Sequence, residues 1–550
     1  MRVSRLAVWI MAIAATAGIP TLAAHAQSVE NPGPPLRGPA VDCASLLGAF
    51  GPDGMVEMAV PQAEGTDVKL SLWKGTFDVT TPAHCLVRGS MARRTGTDGK
   101  PYAIGFELRL PARWNGRFLF QGGAHLAGRL HAAVGGAGTN NPLASGFAIV
   151  TTDSGHREGD GPGGEVDFAF DAQARIDFAY NGVARTTIAA KMLIQRYYGM
   201  AAQHSYFIGC SEGGRQGMMA AQRFPSFFDG IASGAPSLHL ANISAARTFR
   251  NQSLAPFAPR DEKGVPDLSK TLSQADLQLV ASSATAACDG LDGIRDGIIA
   301  NRGACRFTPE TLLCKPGQTS GCLTREKLSM VKAVTGPATT SAGHMLYPGF
   351  PIDAGIGDLA WYIGHVTYPR GEDDRGRFIL YTTPPITDVS PFLFDLDQWE
   401  EKAAAMNALI DPASADLSSF AERGGKILFY HGISDPYMSA NSLVRYYERL
   451  KASAGGEAKA RDFSRLFLAP GMGHCTGGPA PNRVDMLSAL VDWVEKGHAP
   501  ERLIASGQAD RPDRTRPLCP YPLYAHYEGG DREKAASFAC RRQQGAGTID

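Results

Sequence analysis

Short apolar runs between Gly-rich turns are the most regular pattern along the chain. Six of them have the length and flanks of buried strands, at residues 117–120, 147–151, 205–208, 230–233, 426–430 and 465–468. Helical spacing of apolar residues separates some of them, over 184–198 and 440–452. Strands that alternate with helices in this way predict an α/β fold with a parallel sheet covered on both faces.

The spacing of these strands predicts the domain organisation. They fall into two blocks, about 110–236 and 424–470, and the segment between them is loop-rich and holds four cysteines. We therefore expect one α/β domain over 27–236 and 424–550, and an inserted second domain over 237–423.

The first 26 residues have the features of a secretory signal peptide. Arg2 and Arg5 precede an apolar stretch over 6–22, and Ala24-His25-Ala26 is a suitable cleavage site. No cysteine lies near the cut to receive a lipid. We expect a soluble protein in the periplasm or outside the cell, without a membrane anchor.

Charge excludes one class of partner. The 54 Lys and Arg residues balance 54 Asp and Glu residues, so no net field would gather nucleic acid or an anionic membrane. Nothing in the sequence indicates an oligomeric state.

Ten cysteines fit an oxidising compartment, where pairing is expected. No two lie close enough for a zinc motif of the C-x-x-C kind. Local pairing would join Cys43 to Cys85, Cys288 to Cys305, Cys314 to Cys322 and Cys519 to Cys540, and would leave Cys210 and Cys475 to each other. The connectivity itself does not follow from sequence.

The strongest chemical motif is Gly209-Cys210-Ser211-Glu212-Gly213, between a predicted strand and a segment that can open a helix. A sharp strand-to-helix turn lifts a Ser hydroxyl clear of the sheet and directs the next amide towards an oxyanion. The alternative is a Gly-rich turn with an ordinary serine. The context predicts Ser211 as a nucleophile.

A serine nucleophile needs a base and an acid that orients the base. Asp435 follows the strand at 426–430, and His474 follows the strand at 465–468, where loops of a parallel sheet converge. The order Ser, Asp, His is that of a nucleophile-elbow enzyme. His431 is a rival base, but it lies in the loop that supplies the acid, so we expect it to have a structural or pocket role.

Cys210 and Cys475 are the direct neighbours of the expected nucleophile and base. A disulfide between them would fix the two catalytic backbones together. Two buried free thiols are the alternative, which export disfavours.

These motifs, with Phe120-Gln-Gly-Gly123, His431-Gly-Ile-Ser-Asp435 and Gly471-Met-Gly-His-Cys475, resemble the tannase/feruloyl esterase family of α/β-hydrolases. The resemblance runs from about Cys43 to Cys540. It implies an α/β-hydrolase core, an inserted lid and the five disulfides above. The Ser motif is especially similar to that of a member acting on a terephthalate monoester.

A second group of candidate functional residues is Asp289, Asp292 and Asp296, each of which is followed directly by Gly. Carboxylates with the carbonyls of Ile294 and Ile298 could surround a calcium ion. The spacing is not that of an EF-hand, but it resembles the calcium loop of the family. The alternative is a run of Asp-Gly turns. We expect a structural ion in the lid.

An oxyanion hole needs two backbone amides. Glu212 would supply one, and the loop at 122–125 would supply the other, from Gly123 or His125. Family members usually carry more Gly in this loop. Because this chain has Ala124 and His125 instead, the sequence does not decide which residue donates the second amide.

The expected activity is hydrolysis of esters of aromatic acids through an acyl-enzyme, and the aromatic preference comes from the resemblance. Hydroxycinnamate esters, galloyl esters and terephthalate monoesters are the alternatives. Arg375 is a possible clamp for a substrate carboxylate, although an exposed charged loop is the simpler interpretation. An inactive phenolic- or carbohydrate-binding protein and an acyltransferase are the competing functions.

Overall fold

Within the described residues, a ten-stranded mixed β-sheet forms the centre of the protein. The computed structural model describes residues 36–72, 75–135, 141–157, 164–366, 373–508 and 510–542, and the signal peptide expected at 1–26 lies outside them. The strands are β1 (Gly48–Phe50), β2 (Gly54–Gln62), β3 (Thr66–Leu72), β4 (Gly75–Thr81), β5 (His84–Thr95), β6 (Pro101–Pro111), β7 (Arg117–Gln121), β8 (Ala148–Thr152), β9 (His204–Cys210), β10 (Gly230–Gly234), β11 (Ala338–Thr339), β12 (Met345–Tyr347), β13 (Lys426–Gly432), β14 (Ser464–Ala469), β15 (Arg483–Val484), β16 (Leu503–Ser506), β17 (Arg516–Leu518), β18 (Leu523–Tyr527) and β19 (Phe538–Arg542).

The large sheet has a parallel half and an antiparallel half. Its order is β1-β2-β5-β6-β8-β7-β9-β10-β13-β14. Neighbours from β8 to β14 are parallel, and those from β1 to β8 are antiparallel. Each of the six apolar runs is one of the parallel strands, which confirms the predicted α/β architecture. The antiparallel half was not predicted.

Helices cover both faces of the parallel half. The α-helices of the described residues are α1 (Ala172–Ile176), α2 (Gly182–Tyr198), α3 (Glu212–Arg223), α4 (Leu240–Leu254), α5 (Gln274–Cys288), α6 (Arg325–Thr335), α7 (Leu359–Val366), α8 (Asp373–Tyr381), α9 (Trp399–Ile410), α10 (Ser418–Glu422), α11 (Ala440–Ser453), α12 (Glu457–Arg461) and α13 (Met486–Lys496). Apolar side chains of α2, α3 and α11 share a buried cluster with one face of the sheet, and those of α13 share a cluster with the other face. Alternate residues of a strand point to opposite faces, so Phe120 joins the first cluster and Leu119 the second.

Aromatic packing fixes the strands beside the candidate site. The rings of Phe120 on β7 and Phe207 on β9 stack with centroids 5.1 Å apart, and Phe228 meets Phe207 edge-on at 5.4 Å. All three side chains are buried, and burial of one Phe stabilises a fold by roughly 1.5–3 kcal/mol. This cluster packs on the paired strands β7 and β9, and the candidate site begins at the ends of these two strands.

The segment 237–423 contributes α4 to α10 and the small β11–β12 pair, and none of its described strands joins the large sheet. Two buried arginines hold it to the sheet-bearing part of the chain. Arg175 donates to the carbonyl of Ile379 at 2.9 Å, and Arg215 donates to the carbonyls of Ile410 at 2.8 Å and Ala179 at 2.9 Å. The domain boundaries at 236 and 423 stay predictions.

No helix in the described part of the chain is both long enough and apolar enough to cross a membrane.

Candidate active site

The turn at Ser211 has the backbone of a nucleophile elbow. Ser211 alone separates β9 from α3, with φ 62° and ψ −119°, a conformation that costs a non-Gly residue strain. Its amide donates to the carbonyl of Gly234 at 3.0 Å. A Cβ on Gly209 would lie 2.5 Å from the carbonyl carbon of Gly213, so the turn can close this tightly only with glycine there. The G-x-S-x-G motif therefore forms the predicted sharp turn.

Asp435 and His474 meet at the carboxyl ends of β13 and β14. His474 Nδ1 lies 2.6 Å from Asp435 Oδ2, and the Asp435 side chain is fully buried. The amides of Tyr437 and Met438 donate to Asp435 Oδ1 at 2.8 and 3.0 Å. Because Nδ1 faces a carboxylate, it carries the hydrogen, which leaves Nε2 as the basic nitrogen of a neutral His474 ring.

A second imidazole contacts the same carboxylate. His431 Nε2 lies 3.1 Å from the carbonyl of Met438 and 3.3 Å from Asp435 Oδ2. Both are acceptors, so this nitrogen carries a hydrogen. Burial alone would raise the pKa of the Asp435 carboxyl, but the charge on His474 and hydrogen bonds from both imidazoles hold that pKa well below its usual range. Asp435 is therefore ionised at neutral pH.

The five disulfides join the same cysteines as the local pairing set out from the sequence. Cys210 and Cys475 have Cα atoms 6.1 Å apart. Ser211 and His474 are each one peptide unit, about 3.8 Å, from this bridge. The disulfide thus ties the turn that carries Ser211 to the loop that carries His474.

The loop after β7 differs from the expectation at Gly123. Its amide donates to the side-chain Oε1 of Gln216 at 2.9 Å, so it is not directed at an oxyanion. The next amide, that of Ala124, makes no hydrogen bond within the described residues. His125 has a left-handed backbone, with φ 53°. Gln216 lies one turn after Glu212 on α3, and its role depends on a contact 93 residues away that no local motif signals.

The Glu212 side chain forms a buried ion pair with Arg215. Arg215 Nε donates to Glu212 Oε2 at 2.8 Å, and both side chains are almost inaccessible to solvent. Burial raises the pKa of Glu212, and the charge of Arg215 opposes that rise. The backbone amide of Glu212, at the start of α3, is the part of the residue that can serve an oxyanion.

The acidic loop, residues 289–298, folds back on its own backbone. The amides of Asp296 and Gly297 donate to Asp289 at 3.2 and 3.0 Å, and the Ile298 amide does so at 3.2 Å. Arg516 Nε donates to Asp296 Oδ2 at 2.9 Å. Among the described residues, no group of three or more His, Cys, Asp or Glu side chains is arranged to hold a metal ion.

Asp292 and Arg375 are the remaining candidate residues from the sequence. Burial, together with the charges of Asp296 and Asp289, raises the pKa of Asp292 to about 7. Its Oδ1 accepts from the amide of Ile294 at 3.2 Å. Arg375 lies in α8, and its side chain is outside the described part of the structure.

Comparisons with known proteins agree on one family. A sequence profile described as "Tannase and feruloyl esterase" matches residues 85–368 and 381–541. The chain is 40% identical over 548 residues to the mono(2-hydroxyethyl) terephthalate hydrolase of Piscinibacter sakaiensis, covering 89% of this chain and 90% of that protein. It is 31% identical over 472 residues to a probable feruloyl esterase of Arthroderma benhamiae, covering 80% and 82%.

Comparison with solved structures agrees with this family. The crystal structure of feruloyl esterase B from Aspergillus oryzae matches with a TM-score of 0.76 and 25% identity, over 90% of this chain and 98% of that one. The protein is therefore an α/β-hydrolase in fold. It belongs to the tannase and feruloyl esterase family, as its motifs indicated, and it is a carboxylic ester hydrolase.

Proposed function

We propose that the chain hydrolyses esters of aromatic carboxylic acids through an acyl-enzyme on Ser211. The observation that carries this proposal is the Asp435–His474 pair, at 2.6 Å, tied by a disulfide to the sharp turn at Ser211. The aromatic preference draws support from two relatives, a feruloyl esterase and a terephthalate monoester hydrolase, whose acids both contain a benzene ring.

The proposed reaction has two halves. Ser211 Oγ attacks the ester carbonyl while His474 Nε2 takes the hydroxyl proton, and Asp435 stabilises the imidazolium that forms. The oxyanion accepts hydrogen bonds from the Glu212 amide and from an amide of the loop after β7, and we assign this second role to Ala124, whose amide has no partner among the described residues. His474 returns the proton to the leaving alcohol. A water molecule then repeats the sequence on the acyl-enzyme and releases the acid.

A terephthalate monoester is the second candidate substrate. Identity to the terephthalate monoester hydrolase is 40%, against 31% to the feruloyl esterase. Such a substrate keeps one free carboxylate. Arg375 on α8 is the residue we propose to bind it, because a guanidinium matches a carboxylate with two parallel hydrogen bonds.

A substrate panel tests these proposals. Methyl ferulate, methyl gallate, mono(2-hydroxyethyl) terephthalate and methyl butyrate are compared by kcat/KM. We expect at least one aromatic ester to exceed methyl butyrate by more than about 10²-fold, which is about 3 kcal/mol of transition-state binding. Preference for the aliphatic ester would reject the aromatic assignment.

The carboxylate clamp has its own matched pair of variants. Arg375→Ala should raise KM for the terephthalate monoester about tenfold or more and leave methyl ferulate unchanged, because only the first substrate carries a free carboxylate. Arg377→Ala, on the same helix, is the control. An equal effect of both variants on both substrates would reject the clamp.

We further propose that the acidic loop holds a structural calcium ion. Its support is chemical: three carboxylates lie within eight residues, in a loop closed by the disulfide between Cys288 and Cys305, and Asp296 among them pairs with the guanidinium of Arg516. Oxygen donors of this kind suit calcium, although binding requires Asp289 and Asp296 to turn from their present partners. The ion would stabilise the segment and take no part in the chemistry.

Export is proposed as the location, in the periplasm or outside the cell. Five disulfides support an oxidising compartment. Detection of the mature protein, beginning at Gln27, in a periplasmic or medium fraction would test it.

A further inference from the structure

A buried carboxylate from the segment 237–423 touches both catalytic loops. Asp353 lies between β12 and α7 and has no exposed surface. Its Oδ2 accepts from the Ser434 hydroxyl at 2.7 Å and from the Gly471 amide at 2.7 Å. Ser434 directly precedes Asp435, and Gly471 lies three residues before His474. One oxygen atom thus spans the loop of the catalytic acid and the loop of the base.

The surrounding backbone is shaped for this contact. The Gly355 amide donates to the Ser434 hydroxyl oxygen at 3.1 Å, so this hydroxyl accepts from one side and donates to Asp353 on the other. A Cβ on Gly355 would lie 2.4 Å from the Cβ of Ser434, so only glycine permits this approach. The Ser434 amide also donates to the carbonyl of Met472 at 2.9 Å, which brings the two catalytic loops together.

A positive charge accompanies the buried carboxylate. Arg302 Nη1 donates to the carbonyl of Ile352, next to Asp353, at 3.0 Å. Burial lowers the pKa of Arg302, and the nearby charge of Asp353 opposes that effect. Arg302 lies within the stretch closed by the disulfide between Cys288 and Cys305. The carboxylate therefore has a counter-charge and two charge-assisted hydrogen bonds, which make a rigid contact.

We propose that Asp353 is a positioning residue, which clamps the Ser434–Asp435 loop to the Gly471–His474 loop and so maintains the geometry of the acid and base. The proposal rests on the catalytic roles proposed above for Asp435 and His474. Asp353 itself does not touch the substrate in this scheme. It acts because the Asp435–His474 contact is 2.6 Å long, and a displacement of about 1 Å near a reacting group can cost on the order of 10²-fold in rate.

The test compares variants that remove the clamp with one that keeps it. Asp353→Ala should lower kcat for methyl ferulate about 10- to 100-fold and change KM less than about threefold, because substrate contacts remain. Asp353→Asn should keep kcat within about fivefold of the parent, since its amide oxygen can accept both hydrogen bonds. Ser434→Ala should lower kcat, and the double variant Asp353→Ala with Ser434→Ala should lose about as much as Asp353→Ala alone, because Asp353→Ala already removes the contact with the Ser434 hydroxyl.

A matched control separates positioning from general stability. Asp276 is a buried carboxylate in the same segment, and it caps α5 and pairs with Lys327 at 2.7 Å, far along the chain from the catalytic loops. Asp276→Ala should lower the melting temperature and leave kcat unchanged below it. All rates are measured at least 10 °C below the lowest melting temperature of the set, with folding checked by circular dichroism.

Three results would overturn the proposal. They are a kcat of folded Asp353→Ala within about twofold of the parent, a loss in Asp353→Asn equal to that in Asp353→Ala, and equal kcat losses in Asp353→Ala and Asp276→Ala. If Asp353→Ala does not fold, Ser434→Ala decides: a reduced kcat supports the clamp and an unchanged kcat rejects it. Failure of the catalytic scheme is seen separately, because Ser211→Ala would then stay active whatever the Asp353 variants do.

Discussion

Removal of the disulfide between Cys210 and Cys475 should damage catalysis more than stability alone explains. The bridge closes a loop of 265 residues, and the chain-entropy model assigns it about 5 to 6 kcal/mol, an upper figure because measured gains often fall short. The bridge between Cys519 and Cys540 closes 21 residues and is assigned about 3 kcal/mol. Both should therefore lower the melting temperature when removed.

Removal of the two disulfides should affect kcat differently, because only the bridge between Cys210 and Cys475 lies beside Ser211 and His474. With Cα atoms 6.1 Å apart, Cys210 and Cys475 hold the neighbouring Ser211 and His474 in register. A shift of about 1 Å across this bridge can reduce the rate on the order of 10²-fold. We expect Cys210→Ala with Cys475→Ala to lose that much kcat while still folded. The variant without Cys519 and Cys540 should stay within about threefold of the parent.

The assay measures kcat on methyl ferulate for both double variants, at a temperature at which near-ultraviolet circular dichroism shows native packing. A peptide map of the parent protein checks the pairing independently. Equal catalytic losses in the two variants would refute this reasoning, and so would a map that joins Cys210 to any cysteine other than Cys475.

The remaining predictions concern pH, calcium and the oxyanion loop. Because the pKa of the Asp435 carboxyl is held far below its usual range, its ionised form stabilises the fold above about pH 4, and the melting temperature of the parent should fall more steeply below that pH than the melting temperature of Asp435→Asn; equal slopes would contradict this. Exhaustive chelation should lower the melting temperature, because an ion at about 100 times its Kd stabilises by about 2.7 kcal/mol, and a calcium-free protein by metal analysis would reject the site. Gln216→Leu should reduce kcat about tenfold by releasing the Gly123 amide, whereas Gln222→Leu on the same helix should not; equal rates would remove Gln216 from the scheme.

Sequence pattern predicted one half of the sheet and missed the other for a physical reason. The parallel strands are buried on both faces, so they read as continuous apolar runs. The antiparallel strands β5 and β6 carry charges that are satisfied across the sheet, as when Arg88 Nε donates to the buried Glu107 at 2.8 Å. A charged residue interrupts the apolar pattern by which a buried strand is recognised in a sequence. Such a strand can be recognised only when the charged partner on the next strand is known.

The residues of the candidate site likewise include some that the sequence could predict and some that it could not. Ser211, Asp435 and His474 follow strands and lie in short motifs, so their placement could be inferred from local context. The partner of the Gly123 amide could not, because Gln216 lies 93 residues away. The role of Asp353 was still harder to predict from the sequence. Its partners Ser434 and Gly471 lie 81 and 118 residues further along the chain, and the sequence around Asp353 has no regular pattern.

The catalytic role of Ser211 is tested most directly by Ser211→Ala. The buried Ser205 on β9 provides the matched control, Ser205→Ala, which removes a serine hydroxyl from the strand that leads into the Ser211 turn. The account predicts that Ser211→Ala loses more than about 10³-fold in kcat for methyl ferulate at an unchanged melting temperature, while Ser205→Ala keeps its activity. Hydrolysis by purified Ser211→Ala within tenfold of the parent rate would contradict it.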